Sequence, residues 1–507
     1  MTSLNLFFFE TFYVFTPQNL LSIMLLLALL TIVVLYLLNS FVSTTLLYQI
    51  GLASAMLSIW CSLILWFQLD LAKGGFQAIY TFYVIPSFSF EIRLGVDGVS
   101  IFFLILTNLF TYLCILSLSP STLKLNEALI YLFLLQWSVL ASFVALDLLG
   151  FFIFFEISLI PIYFLVLIWG SRERKVRASY LISIYTLLGS IFMFFNILYI
   201  YSKTGTTDYE SLLNTQFSFE DQLFLWITFF IAFASKIPVF PLHIWLPEAH
   251  VEAPTIGSVM LAVLLLKLGT YGLIRFCLPL FPEGTIYFAP LVAIFAVLGI
   301  IYTCLTAIRQ IDLKKIIAYS SVGHMNIVLL GILSGNLEAL QGAIFQMLSH
   351  GIVSGALFFG VGVIYERYSV RSIKYFGGLA FFCPIFAILF LIFSLANISF
   401  PLTSSFIGEF LIFMGVFQYN IVLTLFACTS MVLGAVYTLW TYNRIFFGNV
   451  KVLSLTKFKD INKKEFTLFG ILVFILFLMG VAPYIFLDAM FLDCLNILEH
   501  AKGNRIV

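Results

Sequence analysis

Glu156, Lys236, Lys267 and Glu409 stand near the middles of long apolar stretches, and His324 and His350 stand at similar depth. A Lys or Glu at the centre of a bilayer costs about 2.5–3.5 kcal/mol on insertion scales, so each needs an oppositely charged partner, water, or a task. Glu156 lies in Gly150-Phe-Phe-Ile-Phe-Phe-Glu156-Ile-Ser-Leu-Ile-Pro161, and Lys236 lies in the stretch 222–246. A buried carboxylate and a buried ammonium hold their charges best in each other's presence. Moving or hydrating one therefore changes the proton affinity of the other, which is how a relay is driven. Lys267, in Val263-Leu-Leu-Leu-Lys267-Leu-Gly-Thr, has no carboxylate in its own apolar stretch. His324, in Ser320-Ser-Val-Gly-His324-Met-Asn, and His350, in Met347-Leu-Ser-His350-Gly, carry imidazoles, which exchange protons near neutral pH. Glu409 follows a polar interruption, in Ser404-Ser-Phe-Ile-Gly-Glu409. Taken singly, each has a plainer reading, an ion pair joining helices or a histidine hydrogen-bonded in packing. The series as a whole points to proton transfer.

The elements that position these groups are membrane spans. Of the 507 residues 62% are hydrophobic and 10% charged, with a mean hydropathy of +1.11, far from the roughly 45–50% apolar and 25% charged of soluble domains. Apolar runs of spanning length fall at about 19–40, 44–69, 97–118, 127–145, 147–169, 178–202, 222–246, 255–278, 286–308, 314–334, 338–364, 379–418, 421–447 and 466–488. The expectation is an all-α polytopic membrane protein of about 14 transmembrane helices. The seventh run carries Pro238 and Pro241 just after Lys236, and the twelfth carries Pro401 within a polar patch, Asn397 to Ser405. Both read as broken helices, whose freed carbonyls at membrane depth must line protein or a hydrated cavity. The triplet Phe240-Pro241-Leu242 recurs as Phe400-Pro401-Leu402, a weak echo of the paired interrupted spans that mark internal repeats in transporters.

Cations sort the connections into two sets. Those after odd-numbered runs hold Lys124, the Arg172–Arg177 cluster, Arg309, Lys314, Lys315, Arg367, Arg371, Lys374, Arg444 and the lysines of 451–464, whereas those after even-numbered runs hold Lys73, Arg93, Lys203 and Arg275. The richer set belongs on the matrix or cytoplasmic face, which places both termini on the opposite side. Met1 to Gln18 carries no Lys or Arg and no small-residue cleavage site, so it reads as neither a secretory signal nor a transit peptide, and the chain is expected to begin at Met1. The 59 phenylalanines fit the AT-rich codons of an organelle genome.

Other chemistries are disfavoured. A net charge of +1 speaks against nucleic acid, and the seven cysteines are scattered without a C-x-x-C pair. The boundary segment Pro241-Leu-His-Ile-Trp-Leu-Pro-Glu-Ala-His250-Val-Glu-Ala-Pro254 gathers two histidines and two glutamates, yet His243 and His250 are seven apart around Pro247 with no third ligand at metal-like spacing. No metal is expected.

The run Ser235-Lys-Ile-Pro-Val-Phe-Pro-Leu-His-Ile-Trp-Leu-Pro-Glu-Ala-His-Val-Glu-Ala-Pro254, followed by Leu264-Leu-Leu-Lys-Leu-Gly-Thr-Tyr-Gly, resembles the antiporter-like membrane subunits of respiratory complex I. The likeness extends from Leu94-Gly-Val-Asp-Gly-Val-Ser100 through Phe155-Glu156, Arg309-Gln-Ile-Asp-Leu-Lys314 and Ala318-Tyr-Ser-Ser321 to Ile407-Gly-Glu409; the first hundred residues match loosely. The resemblance implies two inverted five-helix repeats with helices 7 and 12 broken. It divides a single membrane domain, 1–507, into N-terminal helices 1–3 (1–126), a first repeat (127–278), a second repeat (286–447) and a last helix (466–488). It also implies roles: Glu156 and Lys236 as the coupling pair, Lys267 as the central relay, His324 and His350 as bridging groups, Glu409 as the terminal group. Relatives of the subunit 5 and subunit 2 types place a lysine at the Glu409 step, and the subunit 5 type has a long lateral C-terminal helix that this chain is expected to lack.

The expected activity is proton translocation coupled to electron transfer from NADH to ubiquinone. The enzyme is the whole complex, in the mitochondrial inner membrane. No cofactor is expected in this chain; FMN, iron–sulfur clusters and ubiquinone would belong to other subunits. Expected partners are the other membrane-arm and accessory subunits and the lipid bilayer. The competing reading is a subunit of a multi-subunit cation/proton antiporter, which would use the same buried groups for ion exchange.

Overall fold

The computed structural model describes residues 16–85, 90–450 and 459–503. Most of the Met1–Gln18 stretch and the lysines Lys451 and Lys457, both used in the sequence reading, lie outside the described residues. Twelve described helices are long and apolar enough to cross a membrane, from Pro17–Leu38 to Lys463–Val481. Two shorter apolar helices, Pro384–Asn397 and Ser404–Tyr419, occupy the twelfth run. With backbone groups satisfied within each helix, the apolar side chains are free to face lipid or one another. The most enclosed are Thr255–Leu280 and Leu337–Tyr368, buried along their whole apolar windows, and these carry Lys267 and His350.

Both expected breaks are present. The seventh run forms Phe219–Lys236 and Trp245–Glu252, separated by a turn that includes Pro238 and Pro241. Lys236 is thus the last residue of a half-helix rather than the middle of a continuous one. The break leaves carbonyls without helical partners, and the indole of Trp245 donates to one of them, the Ser235 carbonyl, at 2.8 Å. In the twelfth run, Ser399 and Leu402 take left-handed backbone angles (φ 61° and 74°), and the Ser405 hydroxyl donates to the Ala396 carbonyl across the gap. The eighth run is also irregular: π-helical segments Leu261–Leu265 and Leu273–Cys277 flank the α-helical Leu266–Gly272, the usual mark of a helix shaped around a site.

One element was not legible as secondary structure. Between the second and third spans an antiparallel hairpin forms from β1 (Gln77–Ile85) and β2 (Phe90–Val96). The last span also ends earlier than expected, at Val481, and a separate helix, Tyr484–Gly503, follows it.

The chain forms two compact units. The first comprises 1–162, 194–216 and 489–496; the second comprises 163–193, 217–488 and 497–507. In the first, connections before the third span, after the fourth and after the sixth meet: Leu146 N–H donates to the Arg93 carbonyl (2.8 Å) and Tyr209 N–H to the Leu146 carbonyl (2.9 Å). Asp493 joins them from the last helix, accepting from the amides of Gly75 (2.7 Å) and Gly98 (2.6 Å). In the second, connections after the fifth, ninth and eleventh spans meet, with Arg172 and Arg371 each 4.0 Å from Asp312. Within each unit, the connections that meet belong to the same set as sorted by charge.

Candidate proton-relay site

Within the second unit the structure brings four of the six sequence candidates into one line. The Lys267 ammonium, fully buried, donates to the Ala262 carbonyl at 2.5 Å and to Nδ1 of His350 at 2.9 Å. The His350 and His324 rings lie 5.7 Å apart between centroids. Nδ1 of His324 donates to Oε1 of Glu409 at 2.7 Å. The spatial order is Lys267, His350, His324, Glu409, so the later histidine in the chain is nearer the lysine. At 2.9 Å a positive charge on either Lys267 or His350 disfavours a second one on the other.

Close helix approach sets these distances. Gly269, two residues after Lys267, sits against the half-helix Phe219–Lys236, where a Cβ would meet the Phe233 carbonyl oxygen at 2.9 Å. Gly408 likewise has room for no Cβ, which would lie 2.9 Å from Cα of Gln346. That contact presses the Glu409 half-helix onto Leu337–Tyr368, and Gln346 then donates from Nε2 to Glu409 Oε1 at 3.1 Å. Ser349 and Ser404 hydroxyls are paired at 3.0 Å across the same interface. A small cavity, about 10 Å³, borders Glu409 and is lined by Cys304, Ser320, Asn397, Ser430 and Tyr437 among others; it has room for one water.

Lys236 is buried in the second unit at the helix break, and Glu156 belongs to the first unit, on the helix Leu148–Ile157. The residues once weighed as a metal cluster are dispersed. His243 packs against Phe240 and Tyr302, His250 stacks face to face on Phe358 at 4.6 Å, and Glu248 pairs with Lys315 at 3.0 Å. Among the described residues no group of three or more His, Cys, Asp or Glu side chains could hold a metal.

Gln346 is the site residue that sequence reasoning missed. Its signal was available: it precedes His350 by four residues and so shares its helix face. Its partner was not legible, because the contact depends on Gly408 arriving from 62 residues away.

Residues 145–434 match the family model described as NADH:quinone oxidoreductase/Mrp antiporter, transmembrane. A protein of Marchantia polymorpha named NADH-ubiquinone oxidoreductase chain 4 is 49% identical over 455 residues, covering 88% of this chain and 92% of its own. One of the same name from Arabidopsis thaliana is 49% identical over 459 residues, covering 89% and 92%. Among solved structures, a chain of respiratory complex I from Thermus thermophilus with bound NADH aligns with a TM-score of 0.86 at 30% identity, covering 94% of this chain and 99% of that one. By the extent of these matches, the chain belongs to the NADH:quinone oxidoreductase/Mrp antiporter transmembrane family, on the branch of the NADH-ubiquinone oxidoreductase chain 4 proteins.

Proposed function

We propose that this chain is a proton-translocating membrane-arm subunit of NADH:ubiquinone oxidoreductase, carrying protons through its buried ionisable residues while electrons pass through other subunits. The observation that carries the site reading is the Lys267–His350–His324–Glu409 series, two hydrogen-bonded pairs whose imidazole rings lie 5.7 Å apart. In this reading a proton leaving Lys267 reaches His350 through their direct hydrogen bond. The gap between the two rings is crossed by imidazole rotation or by one water. His324 passes the proton to Glu409 over its 2.7 Å bond. Gln346 holds the Glu409 carboxylate in reach, and the cavity beside Glu409 supplies the release step. Glu156 and Lys236 are given the initiating role that the family resemblance implies.

The same reading assigns the two inverted repeats to 127–278 and 286–447, and the cation-rich connections to the matrix face of the mitochondrial inner membrane, with both termini opposite. FMN, iron–sulfur clusters and ubiquinone are carried by other subunits, with which this chain assembles. The antiporter alternative shares the family model, whose description also names the Mrp antiporter, and the identity to the NADH-ubiquinone oxidoreductase chain 4 proteins favours the complex I reading.

Two measurements on the purified assembly test the reading. Purification in mild detergent, with mass spectrometry of the co-migrating chains, is expected to recover flavin and iron–sulfur subunits; isolation with antiporter subunits alone overturns it. Lys236→Ala is expected to leave the complex assembled while sharply reducing proton-coupled quinone reduction. Undiminished pumping by that variant removes Lys236 from the relay.

A further inference from the structure

The small cavity beside Glu409 lies between the break of the twelfth run and the helix Ile421–Phe446. Asn397 and Ile398, where the first half-helix ends, form part of its wall, and Ser430, Gly434 and Tyr437 of Ile421–Phe446 form another part. Two polar atoms at this wall are committed to nothing else. Both hydrogen bonds to the Glu409 carboxylate, from His324 and Gln346, end on Oε1, and no described residue donates to Oε2, although Glu409 is only 3% exposed. Ser430 is buried too, and its hydroxyl has no hydrogen-bond partner among the described residues. Its neighbours on the same helix behave differently: Thr424, Thr438 and Thr441 each donate to a backbone carbonyl three or four residues earlier. Ser430 forgoes that bond at the edge of the cavity.

Gly434 supplies the space. It is buried, yet within 4 Å a Cβ built on it would meet only the Tyr437 hydroxyl oxygen, at 3.9 Å. Glycines that serve close helix approach look different: a Cβ at Gly415 would lie 2.5 Å from Cβ of Ala339. What the glycine at 434 leaves is therefore volume. A water needs that volume and two to four polar partners, and Glu409 Oε2, Ser430 Oγ and the Tyr437 hydroxyl supply three.

From this geometry we propose that the cavity is a water-binding site of the relay: one water, held by Glu409 Oε2, Ser430 Oγ and the Tyr437 hydroxyl, through which Glu409 exchanges its proton on the side away from His324. The proposal rests on the relay reading of Glu409 given above. A carboxyl whose two oxygens face different partners can take a proton on one and give a proton from the other without turning. As the bond from Oε1 to the arriving proton forms, the Oε2–H bond breaks and the carbonyl double bond shifts from Oε1 to Oε2. The first acceptor of the released proton is the water. The Ser430 and Tyr437 oxygens accept the proton that the water gives up, and each hydroxyl has a proton of its own to pass on, so the water is not left charged.

The test uses the assembled complex in liposomes, together with the structure of the same complex by electron cryo-microscopy at a resolution that shows waters. One water is expected at Glu409 Oε2 in the parent and none in Gly434→Ala, whose methyl fills the space. Alanine is the better helix former and its Cβ meets nothing closer than 3.9 Å, so Gly434→Ala is expected to assemble and resist thermal inactivation at least as well as the parent. Its quinone reduction and lumenal acidification are nevertheless expected to fall several-fold. Gly434→Ser puts a hydroxyl in the same space and is expected to recover part of that loss; Ser430→Ala, which removes one partner of the water, is expected to fall between Gly434→Ala and the parent. Gly470→Ala is the control, since a Cβ there meets nothing within 4 Å and Gly470 does not border the cavity; parental turnover is expected. The absence of water at Oε2 in the parent overturns the proposal. Parental pumping in Gly434→Ala does so too, as does a Gly434→Ser no better than Gly434→Ala, a Gly434→Ala less stable than the parent, or an equal loss of turnover in Gly470→Ala. Glu409→Gln measured alongside separates the two readings. If it pumps fully, the relay reading of Glu409 fails; if it does not pump and Gly434→Ala does, only the water site fails.

Discussion

Glu409→Gln separates a relay from a packing role because the structure makes the two consequences differ in size. Glu409 Oε1 accepts from His324 Nδ1 at 2.7 Å and from Gln346 Nε2 at 3.1 Å. Glutamine has the same shape and keeps an acceptor oxygen, so both contacts can persist. The energetic loss is that of exchanging charged for neutral hydrogen bonds, from roughly 1.5–3 to roughly 0.5–1.5 kcal/mol each. As a packing residue Glu409 would therefore cost about 1–3 kcal/mol of stability when replaced, with pumping intact in whatever complex assembles. As a relay residue it loses the ability to take a proton at all, and pumping through this chain should fall at least tenfold. Glu409→Asp shortens the side chain by one bond, about 1.5 Å. The His324 contact then becomes a separation of about 4 Å that a rotamer change closes only in part, so partial rescue is expected. The assay is the assembled complex in liposomes, with NADH oxidation and dye-reported lumenal acidification followed together, giving rate and proton-to-electron ratio. Equal rates and ratios in the parent, Gln and Asp forms would refute the terminal-relay role.

Two further outcomes follow from the packing and the titration. Gly408→Val places carbon where even a Cβ would be 2.9 Å from Cα of Gln346, so the half-helix must move away, at about 1–3 kcal/mol, and the bonds to Glu409 must lengthen. Complex yield and turnover should both fall, with Gly408→Ala intermediate; parental turnover in Gly408→Val would show that the close approach does not position the carboxylate. Asp147, raised to about 6 in the fold against about 3.9 in an unfolded chain, makes folding less favourable as pH rises from 4 to 6, by about 2–3 kcal/mol in total, and the deficit stays constant above that. Asp147→Asn should therefore gain thermal stability relative to the parent between pH 4 and 7, read as the difference in inactivation midpoints of the purified complex. A difference that is flat with pH would remove the buried titration.

The spans were legible because lipid removes alternatives: a backbone in hydrocarbon must satisfy itself, so apolar run length alone marks each helix. The two breaks were legible because proline cannot continue the hydrogen-bond ladder and stands beside a buried charge in both places. The hairpin was not, since Gln77–Ile85 and Phe90–Val96 are short, aromatic-rich and flanked by spans, and strand pairing depends on a partner that periodicity does not show. The division of the last stretch at Ala482 and Pro483 was lost within a continuous apolar run.

What the amino-acid sequence determined by itself was the medium and the inventory: a membrane protein, its spans, two interrupted helices, and ionisable groups too costly to be incidental. It could do so because insertion energy is a local, additive property of residue type and position along a helix. Tertiary structure alone decided which of those groups touch. Lys267 meets His350 and His324 meets Glu409, pairs separated by 83 and 85 residues, and the glycines at 269 and 408 set the helix spacing that makes those meetings hydrogen bonds. Proton transfer depends on distances of a few tenths of an ångström, and such distances are fixed by how helices far apart in the chain pack together.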